Sequence, residues 1–326
     1  MADLEVRAGL ESPPRLEIPF FAYGPLQPGQ PGFDFLLAAL EPASNPGRTN
    51  GGLRVRAGLP LLDPTAGPGV HGALVNFGPG RGAEAYGVVS RYAPRQHYRW
   101  LAVPIGTDGG GEQIANTLVG RHPERGSAEE WFQSWSAGDE PVFGYGMNAT
   151  RRLALTYAVA PIVPGPADDP AFWERFFGLH AAFSQLWLAV DRFSALAFGP
   201  ADEPLNRLYR LGDDPRFREC VIATGVAASP KTPDGRDPQR SRRIRADGSG
   251  AMFSWEAQRS NLSHLGTTAF SDGILLRRAL IELHDSFRLL LLNHLPQLVP
   301  TWTLLDPDGQ ADRWLLRPVV SADGLG

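Results

Sequence analysis

The sequence predicts an α+β protein in which a small β-barrel or mixed sheet is followed by an all-helical bundle. The first half carries short apolar runs separated by glycine and proline, which is typical of strands joined by tight turns. From Pro170 onward, apolar residues recur every three or four positions, which is the period of a buried helix face. Between them lies a Pro/Gly-rich stretch at 161–166. We interpret this stretch as the boundary between domains 1–165 and 166–326.

Composition excludes several classes of protein. With 326 residues, of which 43% are hydrophobic, the chain is long enough for two cores. A net charge of −4 provides no global attraction to nucleic acid, and the lone Cys220 excludes an internal disulfide and a cysteine-based zinc site. No apolar run reaches the roughly 18 residues of a membrane span, and no basic and apolar leader opens the chain. We therefore expect a cytoplasmic protein with no membrane association, no metal and no cofactor.

The predicted elements of the first half are short. The apolar run at 18–22 is predicted to be a buried strand that ends in a loop at Tyr23. One early helix is predicted over 33–40. The further predicted strands are 72–77, 85–89, 98–103 and 153–162.

The predicted helices of the second half begin at Asp169, which can cap a helix, and Pro170, which suits a first turn. That helix runs to about position 197 and is amphipathic throughout. Further helices are predicted over 204–211, 215–224, 252–260 and 272–294. The intervening segment 227–250 is polar and basic, and we interpret it as a mobile loop, either solvated or in contact with RNA phosphates.

The apolar run that ends in Tyr-Gly-Pro-Leu is the most informative motif. Gly24 has no Cβ, so the backbone there can approach a ligand closely. The motif resembles the Tyr-Gly-x-Leu loop of γ-glutamyl cyclotransferase-like proteins, and segments 70–74 and 98–100 resemble later strands of that family. The resemblance implies that the loop holds a small carboxylate or amino-acid-like ligand. The implied ligand-binding residues are Tyr23, Gly24, Pro25 and Leu26.

The acid that the cyclotransferase reaction needs is missing from its expected place. Cyclisation requires a group that takes a proton from the attacking amine and returns one to the leaving amine. The family places an acidic residue shortly before the strand that starts at Tyr98, but 88–98 contains no Asp or Glu, and Ala93 aligns with the acid. We therefore do not expect classical cyclotransferase activity. Glu84, on a predicted turn, is either a substitute acid or a solvated residue.

A second motif lies at 253–266, where Arg259 precedes His264 by five positions with Asn261 between them. It resembles the R-x(4–6)-H signature of HEPN-like helical domains, in the version found in Apea-like members. The resemblance implies a metal-independent ribonuclease in which the histidine moves the proton of the RNA 2′-OH and the arginine holds the scissile phosphate. The spacing alone is weak evidence for this family, because Arg288 and His294 also fit the R-x(4–6)-H pattern. The implied catalytic residues are Arg259, Asn261 and His264.

These observations together predict a HEPN-type endoribonuclease or RNA-binding effector of stress or defence type, with a domain that binds a small ligand. The family resemblance also implies a homodimer formed through the C-terminal helices. Two alternatives stay open. One is a cyclotransferase-family enzyme with a displaced acid such as Glu84. The other is a non-catalytic dimeric scaffold, in which the Arg259–His264 segment only ends a helix.

Overall fold

The computed structural model describes residues 9–56, 58–65, 67–126, 136–157, 169–226, 232–234, 237–242, 247–264 and 269–298. The chain divides into two compact units. The barrel unit comprises Met1–Glu140 and Phe193–Arg207, and the helical unit comprises Pro141–Arg192 and Leu208–Gly326. The predicted boundary at 161–166 lies outside the described residues.

The barrel unit contains a closed five-stranded barrel with strand order β1-β5-β2-β6-β7. Its sheet segments in chain order are β1 (Phe20–Ala22), β2 (Ala43–Thr49), β3 (Gly52–Arg56), β4 (Leu59–Asp63), β5 (Val70–Asn76), β6 (Tyr98–Thr107) and β7 (Glu112–Gly120). Strand β1 is antiparallel to β5 and closes the barrel by a parallel pairing of Phe20 with Asn116 of β7. Strands β3 and β4 form a separate two-stranded sheet. The predicted small barrel is therefore confirmed.

Helix α1 (Pro31–Leu36) and the 3-10 turn Ala38–Leu40 occupy the region of the predicted early helix. The strand predicted over 85–89 is wrong, because these residues lie in helix α2 (Gly82–Tyr92). Ala85, Val89 and Tyr92 are all buried and recur at intervals of four and three, which places them on one helical face.

An aromatic cluster holds α2 against the barrel. The ring of Tyr86 lies edge-to-face with Phe20 at 6.4 Å and with Trp100 at 5.4 Å between ring centroids. The Tyr86 hydroxyl also donates a hydrogen bond to the carbonyl of Ile18 at 2.7 Å. The middle of α2 is therefore anchored beside the start of strand β1 and the residue Ile18 that precedes it.

The remaining helices in chain order are α3 (Gly146–Tyr157), α4 (Pro170–Phe198), α5 (Pro204–Asp213), α6 (Pro215–Ala223), α7 (Gly248–His264) and α8 (Ala269–His294). The strand predicted over 153–162 is wrong for 153–157, which belong to α3; the rest lies outside the described residues. Met147 and Thr150 are buried three positions apart, so a helical period begins before the predicted strand. The helices predicted from Pro170 onward are confirmed, the last two with longer bounds.

Helix α4 begins as the sequence predicts. The Asp169 carboxylate accepts a hydrogen bond from the Ala171 amide at 3.0 Å, and Pro170 occupies the first helical position. Within the predicted loop 227–250, strands β8 (Thr232–Asp234) and β9 (Asp237–Arg242) pair antiparallel. The mobility of that segment stays a prediction.

Helix α8 carries much of the core of the helical unit. Leu280, Leu283, Phe287 and Leu290 are fully buried, and Phe287 lies edge-to-face with Phe143 at 6.2 Å. This part of the helix is thus buried, as the sequence predicts for the run at its end. Across the described ranges, no helix combines the length and the apolar character that crossing a bilayer requires.

Candidate functional site

The Tyr-Gly-Pro-Leu motif forms a tight turn at the end of β1. Tyr23 is extended, and residues Gly24–Leu26 form a single 3-10 turn. Gly24 has a φ of +59°, a left-handed conformation that favours glycine. The structure therefore brings Tyr23, Gly24, Pro25 and Leu26 together as one buried turn.

Beneath this turn lies a small pocket with space of about 10 Å³, which corresponds to about one water molecule. Among the described residues that line it, none carries a carboxylate or a cationic group. In this conformation the pocket does not accommodate a γ-glutamyl group. The lining residues are Phe20, Tyr23, Pro25, Leu26, Pro60, Tyr92, Tyr98 and Leu118.

The tyrosine hydroxyls of the pocket all bond to backbone groups. Tyr23 donates to the carbonyl of Leu118 at 2.7 Å and accepts from the amide of Leu62 at 3.1 Å. Burial raises the pKa of Tyr23 well above its ordinary value, so its hydroxyl stays protonated.

The other two pocket tyrosines make similar contacts. Tyr98 donates to the carbonyl of Pro60 at 2.8 Å. Tyr92 donates to the carbonyl of Leu196 at 3.0 Å. The polar groups of the pocket wall are thus neutral and satisfied by the barrel unit itself.

The structure separates Glu84 from the Tyr23–Leu26 turn. The predicted turn at Glu84 is wrong, because the residue lies in the first turn of α2, where it is exposed. It is not among the residues that line the pocket. Whether it acts as a substitute acid stays a prediction.

The sequence predicts Ala93 as the position of the missing acid. In the structure, Ala93 is fully buried directly after α2. The next residue, Pro94, forms a β-bridge with Gly9, and the Leu10 amide donates to the Ser90 carbonyl at 2.8 Å. A segment near the N-terminus therefore covers the end of α2.

The second predicted site is only partly described. Arg259 lies on α7, and its guanidinium sits over the ring of Trp187, 5.6 Å from the ring centroid. Its Nη2 lies 3.8 Å from a carboxylate oxygen of Glu256, and 43% of its side chain is exposed. The backbones of Asn261 and His264 belong to the end of α7, but their side chains lie outside the described part of the structure.

Helix geometry constrains how Arg259 and His264 can cooperate. Positions five residues apart on a continuous α-helix are rotated by about 140° around its axis. The two positions therefore lie on different faces of α7.

Sequence reasoning missed a group of buried polar side chains on α8. The Nδ1 of His284 lies 3.0 Å from the carboxylate of Asp285, and the two side chains are 1% and 0% exposed. The Nε2 of His284 is also buried and has no hydrogen-bond partner within the described part of the chain. The available signal was a histidine next to an acid within a helix whose apolar run predicts burial. No group of three or more His, Cys, Asp or Glu side chains suited to a metal ion occurs among the described residues.

Comparison with known proteins identifies no family. No protein-family model matches the chain, and no curated protein sequence matches it. Among solved structures, the chain is similar to YkqA from Bacillus subtilis, with 18% identity and a TM-score of 0.29 over 44% of this chain. The match spans about half of YkqA, 54% of its chain. Similarity at this level decides neither the family nor the function.

Proposed function

We propose that the helical unit binds RNA and cleaves it without a metal ion, using Arg259, Asn261 and His264. We further propose that the barrel unit is a cyclotransferase-like domain that binds a small carboxylate or amino-acid-like ligand without turning it over. The observation that carries the RNA proposal is the setting of Arg259.

Arg259 has the properties of a phosphate-binding group. Its guanidinium carbon lies 5.6 Å from the centroid of the buried Trp187 ring, within the range of a cation–π contact. Its Nη2 also lies 3.8 Å from a carboxylate oxygen of Glu256. A planar and partly exposed guanidinium suits two-pronged contact with phosphate, and it offsets charge that builds in a transition state.

His264 is the proposed proton carrier. An imidazole titrates near neutral pH, so it can remove the 2′-OH proton or protonate the leaving oxygen. Because positions 259 and 264 lie on different faces of α7, we propose that two copies combine their motifs in one site. A non-catalytic dimer would retain the pairing but cut no RNA.

The absence of a carboxylate around the pocket supports a barrel unit without cyclotransferase activity. Both proton transfers of that reaction need a group within hydrogen-bond reach of the reacting amines. The lining residues provide three neutral tyrosines and otherwise apolar groups. Ala93 offers only a methyl group at the aligned position.

The first experiment incubates the purified full chain with structured and single-stranded RNAs in EDTA. We expect cleavage by the wild type, and a loss of about 100-fold or more in His264→Ala, the usual scale for an acid–base residue. Arg259→Lys should also lose rate, because it keeps the charge but not the planar fork. The matched control is His294→Ala, since His294 also follows an arginine but lies on α8.

Two outcomes would reject the nuclease proposal: no cleavage of any RNA by the wild type, or an equal loss in His264→Ala and His294→Ala. Binding of RNA without cleavage would reduce the proposal to an RNA-binding unit.

The second experiment measures 5-oxoproline release from γ-glutamyl dipeptides. We expect no release by the wild type. Release that disappears in Glu84→Gln would establish the alternative, a cyclotransferase with a displaced acid.

A further inference from the structure

The C-terminal end of helix α4 lies against the element that follows the Tyr23–Leu26 turn. Residues Phe193–Arg207 belong to the barrel unit, and Leu196 is fully buried there. The ring of Phe35, at the end of α1, lies edge-to-face with Phe193 at 5.7 Å and with Phe198 at 5.5 Å between centroids. The end of α4 is thus packed into the barrel unit by aromatic contacts.

Two glycines show how close this approach is. A Cβ on Gly32 would lie 2.7 Å from the Pro25 carbonyl oxygen and 3.0 Å from that of Leu196. The turn and the helix end therefore meet at a position without a side chain. Gly199, with a φ of +96°, ends α4 beside Tyr92, where a Cβ would lie 2.6 Å from the Tyr92 Cα.

Tyr92 links the pocket to this segment. It lines the pocket, and its hydroxyl donates to the Leu196 carbonyl at 3.0 Å. The other pocket tyrosines, Tyr23 and Tyr98, instead bond to carbonyls of the barrel strands and their edges. Tyr92 is therefore the pocket tyrosine whose partner comes from the returning helix.

We propose that residues 193–199 form an intramolecular latch that, by holding Tyr92, keeps the barrel pocket at its small volume, and that a small carboxylate or amino-acid-like ligand enters when the Tyr92–Leu196 hydrogen bond opens. The inference about the ligand rests on the proposed function of the barrel unit. The physical basis is competition for one donor. The carbonyls at the C-terminal end of a helix carry partial negative charge, and a ligand carboxylate would seek the same Tyr92 hydroxyl.

The test compares three full-length variants by hydrogen–deuterium exchange at the amides of 196–199. Gly32→Ala places a methyl group between the Pro25 and Leu196 carbonyls. Tyr92→Phe removes the latch hydrogen bond with little change in volume. Gly87→Ala is the matched control, because a Cβ there would meet only the end of the Arg91 side chain at 3.7 Å.

We expect Gly32→Ala and Tyr92→Phe to exchange faster at these amides while Gly87→Ala does not. The loss of one hydrogen bond corresponds to roughly three- to tenfold faster exchange in Tyr92→Phe. Calorimetry with 5-oxoproline and γ-glutamylalanine should then show tighter binding to Gly32→Ala than to the wild type. Bound probe should also speed exchange of the wild-type amides.

Unchanged exchange in both variants would overturn the latch, whether or not the probes bind. Binding to the wild type without faster exchange at 196–199 would overturn it too. Faster exchange in the variants, with no probe bound by any protein, would support the latch and reject the proposed ligand. Circular dichroism would confirm that Gly32→Ala is folded, and Tyr92→Phe provides the same readout with a smaller perturbation.

Discussion

In the barrel unit, the buried hydroxyls of Tyr23, Tyr92 and Tyr98 each bond to a backbone carbonyl, whereas in the helical unit α8 pairs buried side chains with other side chains. His284 contacts Asp285 at 3.0 Å, and Ser286 contacts Thr224 at 2.8 Å. In the barrel unit, these buried tyrosine hydroxyls thus donate to backbone carbonyls of the same unit. In the helical unit, buried polar side chains of α8 also contact other side chains.

This difference bears on which unit can supply groups for proton transfer. A pocket lined by neutral, satisfied hydroxyls supplies no group for proton transfer at neutral pH. The buried ionisable side chains of α8 and the partly exposed Arg259 lie in the helical unit. The reaction that we propose needs ionisable groups, and it therefore concerns the helical unit.

The largest expected loss of stability comes from substitutions that remove a buried apolar ring from each unit. These two variants serve as a reference for the substitutions of polar groups. Phe21→Ala and Phe287→Ala each delete a fully buried ring. Each should lower the free energy of unfolding by about 3–5 kcal/mol, because lost transfer energy and a cavity add together. Urea denaturation measures both. A loss below about 1 kcal/mol in either variant would contradict the dense packing described here.

As the pH is raised, the two units should begin to lose stability at different pH values. Burial is the main cause that raises the pKa of Tyr86 to about 12 from 10.0, and that of Cys220 to about 12 from 9.0. Both groups are neutral when protonated, and the folded protein holds their protons more tightly than the unfolded chain. Their contribution to folding stability is therefore complete below the ordinary pKa and is lost as the pH rises toward 12. Each contributes a loss of about 1.4 kcal/mol per pH unit in that window.

The helical unit should therefore begin to lose stability near pH 9, and the barrel unit near pH 10. Urea midpoints between pH 8 and 12, followed by hydrogen exchange in each unit, measure this. Cys220→Ala should flatten the profile of the helical unit and Tyr86→Phe that of the barrel unit. An identical onset in both units would contradict the assignment.

Deleting single hydroxyls tests the difference in hydrogen bonding directly. Tyr23→Phe leaves the Leu118 carbonyl and the Leu62 amide without their buried partner, so we expect a loss of about 1–3 kcal/mol. Ser286→Ala should cost only about 0.5–1.5 kcal/mol, because the Thr224 hydroxyl still bonds to the Cys220 carbonyl. Thermal unfolding compares the two variants. A larger loss in Ser286→Ala would reverse the comparison.

The smallest expected effect is a gain. Gly87 lies in the interior of α2, and a Cβ there has room. Gly87→Ala should raise the free energy of unfolding by about 0.5–1 kcal/mol, because alanine loses less backbone freedom on folding. A decrease in the urea midpoint would show that α2 does not tolerate the extra methyl group.

Several local features could be predicted because their signals lie within a few residues. The left-handed turn at Gly24 follows from glycine after an apolar strand. The start of α4 follows from Asp169 and Pro170 together with a long apolar period. Helix α2 was missed because its adjacent Val88 and Val89 favour a strand, and its eleven residues offer few repeats of the helical period.

The candidate sites could be predicted only as motifs. The sequence groups Tyr23–Leu26 as one motif because the four residues are adjacent. It did not reveal Tyr92 as a pocket residue, since Tyr92 reaches the turn through the fold of α2. The setting of Arg259 depends on Trp187, which is far away in the sequence.

By itself the sequence determined the fold class, the order of the later helices, the tight turn at Gly24 and the lack of an acid at Ala93. These properties depend on residue type and short-range spacing. Only the tertiary structure decided that the pocket has room for about one water molecule and that Leu196 accepts the Tyr92 hydrogen bond. Such contacts join residues about a hundred positions apart, and no local pattern encodes which distant carbonyl a buried hydroxyl will meet.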